Sequence, residues 1–159
     1  MSAGLQGLYD ALAGADFSPC EGCAACCEGA WMLAREAERA RAADPAAVRE
    51  ERGVAFLGDG GPCPWRGEGR CNRYALRPLD CRLFPLDLVE HEGDLWWCVF
   101  LGCVRPDALA ERLIPRIEAI EAAMTPEILA EFQTQIAVTR QRYPAYASGA
   151  YRLVRRLSR

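Results

Sequence analysis

The sequence predicts an α+β fold, in which a small cysteine-rich core with short β-hairpins is flanked by N-terminal and C-terminal α-helices. Three observations lead to this prediction. Apolar residues recur at helical spacing near both ends of the chain, β-rich segments alternate with Gly-rich turns in the middle, and all nine cysteines lie between residues 20 and 103. With 159 residues the chain has the size of one domain. We therefore expect a single domain over 1–159, with a cysteine-cluster core at 20–103 and a helical extension at 104–159.

The first part of the chain has a helical pattern. Leu5, Leu8 and Leu12 recur at helical spacing, which predicts a short amphipathic helix over residues 4–13. Residues 32–43 consist mostly of Ala, Glu and Arg and predict a second helix, because these residues have high helix propensity. The segment that starts at Pro45 predicts another short helix, which ends before Gly53.

Turn residues divide the middle of the chain. The run Gly58-Asp59-Gly60-Gly61-Pro62 leads directly to Cys63, and Gly67-Glu68-Gly69 forms a second turn. This second turn predicts that Cys63 and Cys71 lie on opposite arms of a hairpin. Ligands carried on such turns are common in small metal sites.

Two further elements follow the second turn. Residues 77–82 predict a single helical turn that contains Cys81, with Pro78 near its start. The β-rich segments 86–90 and 95–100 flank a polar turn and predict a second hairpin.

The last third of the chain has no cysteine and is mainly helical in pattern. Residues 107–124 predict a helix that is kinked at Pro115. Thr125 is a suitable N-cap for a further helix that runs to about residue 142. The tail from Ser148 predicts a final short helix. We expect these C-terminal helices to pack against the cysteine-bearing part and to offer a surface for a protein partner.

Composition narrows the classes of protein. The formal net charge is −3, which gives no nucleic-acid signature, and no apolar run reaches the roughly 18 residues of a membrane span. No export signal is visible at the N-terminus, so we expect a cytoplasmic protein without membrane contact. Thiols stay reduced in that compartment, which favours metal or redox chemistry over a disulfide framework as the reason for nine cysteines.

The cysteines are the candidate metal ligands. Four of them fall within eight residues, and their two-residue spacers let a loop turn several sulfurs toward one point. Thiolates are soft ligands and select zinc, copper(I) or iron–sulfur clusters over magnesium or calcium. The candidate ligands are Cys20, Cys23, Cys26, Cys27, Cys63, Cys71, Cys81, Cys98 and Cys103.

Both an iron–sulfur cluster and zinc suit these ligands. The density of sulfur and the single histidine favour a cluster of the 4Fe–4S type, and Cys63-Pro64 is similar to the Cys-Pro of ferredoxins. Zn²⁺ is the alternative, because it also accepts four thiolates. The seven cysteines from Cys20 to Cys81 exceed one four-coordinate site and fall short of two. Cys98 or Cys103 would complete a second site, or Cys98 is simply a small buried apolar residue.

Three further residues are candidates for contacts with the inorganic centre. Arg77 and Arg82 flank Cys81, and a guanidinium there would offset the negative charge of a thiolate-ligated metal. The alternative is that both arginines are solvated and pair with Asp80 or Asp87. Tyr74 either donates a hydrogen bond toward the site or belongs to the core.

The order of these motifs resembles the CxxCxxCC cysteine-cluster family of zinc- or iron-chelating domain proteins, also called YkgJ-like. The resemblance covers about residues 20–85 and rests on Cys20 to Cys27, Gly61-Pro62-Cys63-Pro64, Cys71 with Tyr74, and the run from Arg77 to Pro85. Ala25 is a departure, since Gly is common at that position of the family. The resemblance implies metal or iron–sulfur binding. Some relatives take part in protein modification, including lysine methylation of flagellin.

Three functions are consistent with the sequence. The first is a metal-binding protein in redox chemistry, metal handling or support of a modifying enzyme. The second is a cluster-dependent enzyme of the transferase type, and the third is a structural zinc module for protein–protein interaction. No phosphate-binding Gly-rich loop, nucleophile elbow or zinc-protease helix is present, so no residue is predicted to be catalytic. An arginine-rich tail is either a solvated helix end or a site for an anionic partner: Arg140, Arg142, Arg152, Arg155, Arg156 and Arg159.

Overall fold

The computed structural model describes residues 3–15, 27–142 and 150–158. The helices are α1 (Ala3–Leu12), α2 (Ala34–Ala43), α3 (Leu79–Leu83), α4 (Pro106–Leu113), α5 (Ile117–Ala123) and α6 (Pro126–Arg142). The strands are β1 (Trp31–Met32), β2 (Val48–Glu51), β3 (Val54–Leu57), β4 (Leu86–His91), β5 (Asp94–Phe100) and β6 (Tyr151–Arg156). This combination of helices and small antiparallel sheets confirms the predicted α+β class.

The first sheet has the strand order β1-β3-β2, with both pairs antiparallel. Strands β2 and β3 form a tight hairpin whose two turn residues, Arg52 and Gly53, have positive φ values of 50° and 80°. Such two-residue turns match the twist of antiparallel strands. The short helix predicted to begin at Pro45 and to end before Gly53 is present only in its first three residues. A 3-10 turn over Pro45–Ala47 is followed directly by β2, because pairing with β3 outweighs the helix propensity of the Arg and Glu residues.

The second sheet has the order β4-β5-β6. Its first hairpin was predicted and is confirmed, with a turn at Glu92 and Gly93, where φ is 54° and 85°. The short helix predicted in the tail is wrong, since residues 151–156 form β6 and pair with β5. Strand β6 occupies an edge of β5 that would otherwise present unpaired backbone groups.

The remaining helices follow their sequence patterns. Helix α1 confirms the helix predicted over residues 4–13, although it ends at Leu12, and a 3-10 turn that includes Pro115 separates α4 from α5. Thr125 begins α6 as predicted, because its Oγ1 accepts a hydrogen bond of 3.3 Å from the backbone N–H of Ile128.

One apolar core joins the C-terminal helices to the cysteine-bearing part of the chain. Phe132 of α6 contacts Trp31 of β1 edge to face, with ring centroids 4.7 Å apart. Trp97 of β5, Leu113 of α4 and Ile120 of α5 are fully buried in the same cluster. These contacts confirm that the helices pack on the rest of the fold. Their use as a surface for a protein partner stays a prediction.

The arginine-rich tail is divided between the end of α6, which carries Arg140, and strand β6. Each of its three described arginines on β6 contacts an acid from another element. The pairs are Arg152 with Asp107 at 2.9 Å, Arg155 with Glu121 at 2.8 Å and Arg156 with Asp94 at 2.6 Å. The interpretation as a solvated helix end is therefore wrong for these three arginines, whereas Arg140 does lie in the last turn of α6. No helix in the described part of the chain is long and apolar enough to cross a membrane.

Glu121 anchors β6 and the second sheet to the helices. Its buried carboxylate accepts a 2.8 Å hydrogen bond from the indole N–H of Trp97 and a 2.8 Å bond from Arg155. We expect Glu121→Ala to lower the free energy of unfolding by about 2 kcal/mol, because the fully buried indole N–H loses its acceptor. Urea unfolding followed by tryptophan fluorescence measures the change. A loss no larger than that of the exposed neighbour variant Glu118→Ala would contradict this role.

Candidate metal centre

The structure describes six of the nine candidate cysteines. Cys27 begins the second described segment, Cys63 and Cys71 lie in the loop that follows β3, and Cys81 lies on α3. Cys98 and Cys103 lie on β5 and in the loop after it. The predicted ligands Cys20, Cys23 and Cys26 are outside the described residues.

The segment after Cys27 is fixed against the end of β3. The backbone N–H of Cys63 donates a 2.9 Å hydrogen bond to the carbonyl of Cys27, so these two cysteines are direct neighbours. Gly29 makes this approach feasible: its φ is +92°, and a Cβ atom there would lie 2.5 Å from the carbonyl oxygen of Leu57. The end of the N-terminal cysteine cluster therefore lies against the loop that carries Cys63.

A small hairpin carries Cys63 and Cys71. Cys71 pairs with Arg66 in an isolated β-bridge, and the N–H of Asn72 donates to the carbonyl of Trp65 at 2.8 Å. Trp65 is buried, and its indole N–H donates to Asp44 at 3.0 Å, which ties the hairpin to the end of α2. The predicted placement of the two cysteines on opposite arms of a turn is confirmed.

Cysteines from different loops lie close enough to affect one another's pKa values. Burial raises the pKa of the Cys63 thiol, and the neighbouring Cys27 and Cys71 raise that pKa further. Burial also raises the pKa of Cys81, with smaller contributions from Asp80, Cys63 and Cys27 in the same direction. The fold thus brings Cys27, Cys63, Cys71 and Cys81 to one region of the protein.

Arg77 and Arg82 hold the backbone around Cys81. The guanidinium of Arg77 donates to the carbonyl oxygen of Cys81, and its positive charge opposes the raised pKa of the Cys81 thiol. Arg82 donates from Nε to the carbonyl of Arg77 at 2.9 Å, and its guanidinium stacks on the ring of Tyr9 at 4.5 Å. The charge of Arg77 therefore lies close to Cys81, whereas the described contacts of Arg82 are with the backbone and Tyr9. The contact of either arginine with an inorganic centre stays a prediction.

Tyr74 lies at the edge of this region. Its side chain is 55% exposed, and the guanidinium of Arg77 stacks on its ring at 4.8 Å. The interpretation of Tyr74 as a core residue is therefore wrong. Its contact with the inorganic centre stays a prediction, and its described partner is Arg77.

The buried carboxylate of Glu36, which the sequence pattern did not reveal, helps to hold the backbone near Cys81 in place. Glu36 is 4% exposed and accepts three hydrogen bonds: from the Tyr9 hydroxyl at 2.5 Å, from the N–H of Leu33 at 3.1 Å and from the N–H of Leu79 at 2.7 Å. Burial raises the pKa of Glu36 above its ordinary value. The bond to Leu79 fixes the start of α3, two residues before Cys81.

Asp80 makes a second connection between the site and the first sheet. Its carboxylate accepts a 3.1 Å hydrogen bond from the backbone N–H of Trp31. Burial raises the pKa of Asp80, and the nearby Asp87 raises it further. Asp80 was expected to pair with an arginine, but its described partner is the backbone of β1.

Cys98 and Cys103 have different surroundings from the other cysteines. Cys98 is fully buried in an apolar cluster with Val89 and Phe100, and this burial raises the pKa of its thiol. The Sγ atom of Cys103 accepts a hydrogen bond of 3.4 Å from the backbone N–H of Arg105. The buried surroundings of Cys98 match the alternative of a small apolar residue.

The donor set suits a soft metal ion or cluster. Cys63, Cys71 and Cys81 carry free thiols, and each approaches the region from a different part of the backbone. Within residues 3–15, 27–142 and 150–158, no three His, Cys, Asp or Glu side chains form a group able to hold a metal ion. A complete four-sulfur set therefore needs rearranged thiols or ligands from the cluster at Cys20, Cys23 and Cys26.

A known protein family matches the region that carries this arrangement. A family model named CxxCxxCC and described as "Putative zinc- or iron-chelating domain" matches residues 19–102. The chain belongs to the CxxCxxCC family. The match covers a little more than half of the chain, and it extends past the run ending at Pro85 to include β4 and β5. No curated protein and no solved structure matches the chain.

Proposed function

We propose that this CxxCxxCC protein holds a 4Fe–4S cluster on cysteine thiolates and acts in redox chemistry, in metal handling or in support of a modifying enzyme. The observation that supports the proposal is the position of Cys27, Cys63, Cys71 and Cys81 in one region of the fold, with the N–H of Cys63 bonded to the carbonyl of Cys27. Cys63, Cys71 and Cys81 carry free thiols and no disulfides, and thiolates at this density are typical of iron–sulfur proteins. The proposal places the protein in a reducing compartment such as the cytoplasm, where thiols remain available.

The ligands are proposed to come from two groups. Cys63, Cys71 and Cys81 form one group with Cys27, and the motif cysteines Cys20, Cys23 and Cys26 supply the rest. The excess of sulfurs over a single four-coordinate site supports a second site or exchange of ligands. Cys98, in its apolar surroundings, is proposed to be a packing residue.

The surrounding residues would adjust the properties of the bound group. A cluster supplies one-electron redox chemistry when bound, and its potential depends on charge, hydrogen bonds to sulfur and exposure to solvent. Arg77 supplies positive charge beside Cys81, and the buried Trp65 excludes water on the side of Cys63 and Cys71. Glu36 and Asp80 fix the backbone of α3 and so the position of Cys81.

Metal analysis of protein purified without oxygen tests the proposal. We expect iron and acid-labile sulfide in equal amounts, together with a broad visible absorbance that decreases on reduction with dithionite. Zinc in stoichiometric amount in a colourless protein would contradict the cluster and support the structural zinc alternative. Protein that lacks both metals and folds equally well without them would contradict any thiolate centre, since ligation and folding are coupled.

A further inference from the structure

The hairpin between Cys63 and Cys71 and the residues just after it carry three arginines on their surface. Arg66, Arg70 and Arg73 fall within eight residues, and the only acid among these residues is Glu68. All three arginines are exposed. The bridge from Arg66 to Cys71 and the 2.7 Å hydrogen bond from the N–H of Gly67 to the carbonyl of Arg70 fold the segment back on itself. Three exposed arginines therefore lie close together along this short segment, which we call the arginine loop.

The arginines of this loop differ from many of those elsewhere in the described parts of the chain, which pair with acids. On α2, on α6 and on β6, exposed arginines form ion pairs with acids: Arg35 with Glu38, Arg140 with Glu90, and Arg152 with Asp107. Among residues 3–15, 27–142 and 150–158, no acid lies within ion-pair distance of Arg66, Arg70 or Arg73. Within the described residues, three arginines without an ion pair thus fall in one stretch of eight positions, although the chain as a whole is negative.

We propose that the arginine loop is a docking surface for an acidic segment of a partner protein. Guanidinium groups bind carboxylates through two parallel hydrogen bonds, and complementary charge speeds and orients association. The loop also carries Cys63 and Cys71, so a partner held there would lie beside the thiolate region. The proposal does not depend on the identity of the metal.

A short acidic peptide fits this surface better than a nucleic acid does. Nucleic acids bind through many phosphate contacts along an extended basic surface. Here the cluster is limited to one loop, and the net charge of −3 would repel a long polyanion. Three arginines within eight residues suit a few neighbouring carboxylates.

Fluorescence anisotropy of the full-length protein tests the proposal with fluorescein-labelled octaglutamate, and with octaglutamine and oligothymidylate as comparison probes. We expect salt-sensitive binding of octaglutamate, with Arg66→Gln, Arg70→Gln and Arg73→Gln combined weakening it roughly tenfold, the scale of three exposed ion pairs. The control combines Arg35→Gln, Arg140→Gln and Arg152→Gln, which changes the net charge equally and should leave the affinity within about twofold. Replacing the three loop arginines by Lys keeps the charge but removes the paired hydrogen bonds, so the affinity should lie between those of the unchanged protein and the glutamine variant.

Several results would overturn the proposal. These are the absence of octaglutamate binding, equal losses in the loop variant and the control variant, or tighter binding of oligothymidylate than of octaglutamate. Metal content and melting temperature are measured on every sample. Unchanged values in the loop variant, together with weaker peptide binding, assign the arginines to docking. A protein without metal that still binds octaglutamate through this loop would contradict only the proposed metal function.

Discussion

Cys63→Ser is expected to remove most of the bound metal and to destabilise the fold at the same time. Cys63 lies next to Cys27 through the 2.9 Å backbone hydrogen bond and is within electrostatic reach of Cys71. Loss of one thiolate lowers the affinity for a soft metal, and the free energy of metal binding contributes to the stability of the folded protein. We expect a loss of about 4 kcal/mol, which corresponds to roughly 10 °C in melting temperature for a chain of this size.

Elemental analysis and thermal unfolding of the same samples measure both effects. Cys98→Ala is the matched control, because Cys98 is buried among apolar side chains on the second sheet. This control should keep its full metal content and lose only the stability of a small packing defect. Normal metal content in Cys63→Ser would remove Cys63 from the ligand set. Metal loss in Cys98→Ala would restore Cys98 to the ligand set.

The comparison of the cysteines shows which part of the site can be predicted from sequence. The turns at Gly67-Glu68-Gly69 and at Pro78 predicted that Cys71 and Cys81 are carried on short rigid elements, and both elements are present. The support beneath them could not be predicted. Glu36 lies in a run of Glu, Arg and Ala, where its pattern is that of a solvated helix face, and only the tertiary fold places Tyr9 and Leu79 against it.

The strands show the same difference between local and distant signals. The hairpin of β4 and β5 has a Gly-containing polar turn between two β-rich segments, so its signal is contained within fifteen residues. Strand β6 pairs with a strand about fifty residues earlier, and its sequence alternates weakly because arginines stand at half of its positions. Its pairing depends on the free edge of β5 and on the acids at Asp94, Asp107 and Glu121, which no local pattern shows.

Glu36→Ala is expected to destabilise the protein by about 3 kcal/mol, or roughly 6–12 °C in melting temperature. The carboxylate accepts hydrogen bonds from Tyr9, Leu33 and Leu79, and so connects α1, the start of α2 and the start of α3. Removing it leaves three donors without an acceptor in a region that is closed to water, since Glu36 is only 4% exposed. This cost exceeds the gain from no longer burying a carboxylate, because all three donors are held in place by the surrounding fold.

Urea unfolding of Glu36→Ala is compared with that of two variants on the same helix. Glu38→Ala removes an exposed carboxylate that pairs with Arg35 at 3.0 Å, and we expect a change within about 0.5 kcal/mol. Glu36→Gln keeps the shape and one acceptor oxygen, so its loss should lie between those of the two alanine variants. Equal stability of Glu36→Ala and Glu38→Ala would show that the buried carboxylate does not hold the three helices together.

Because the Leu79 N–H lies two residues before Cys81, we also expect Glu36→Ala to bind metal less tightly than Glu38→Ala, as elemental analysis after dialysis against a chelator would measure.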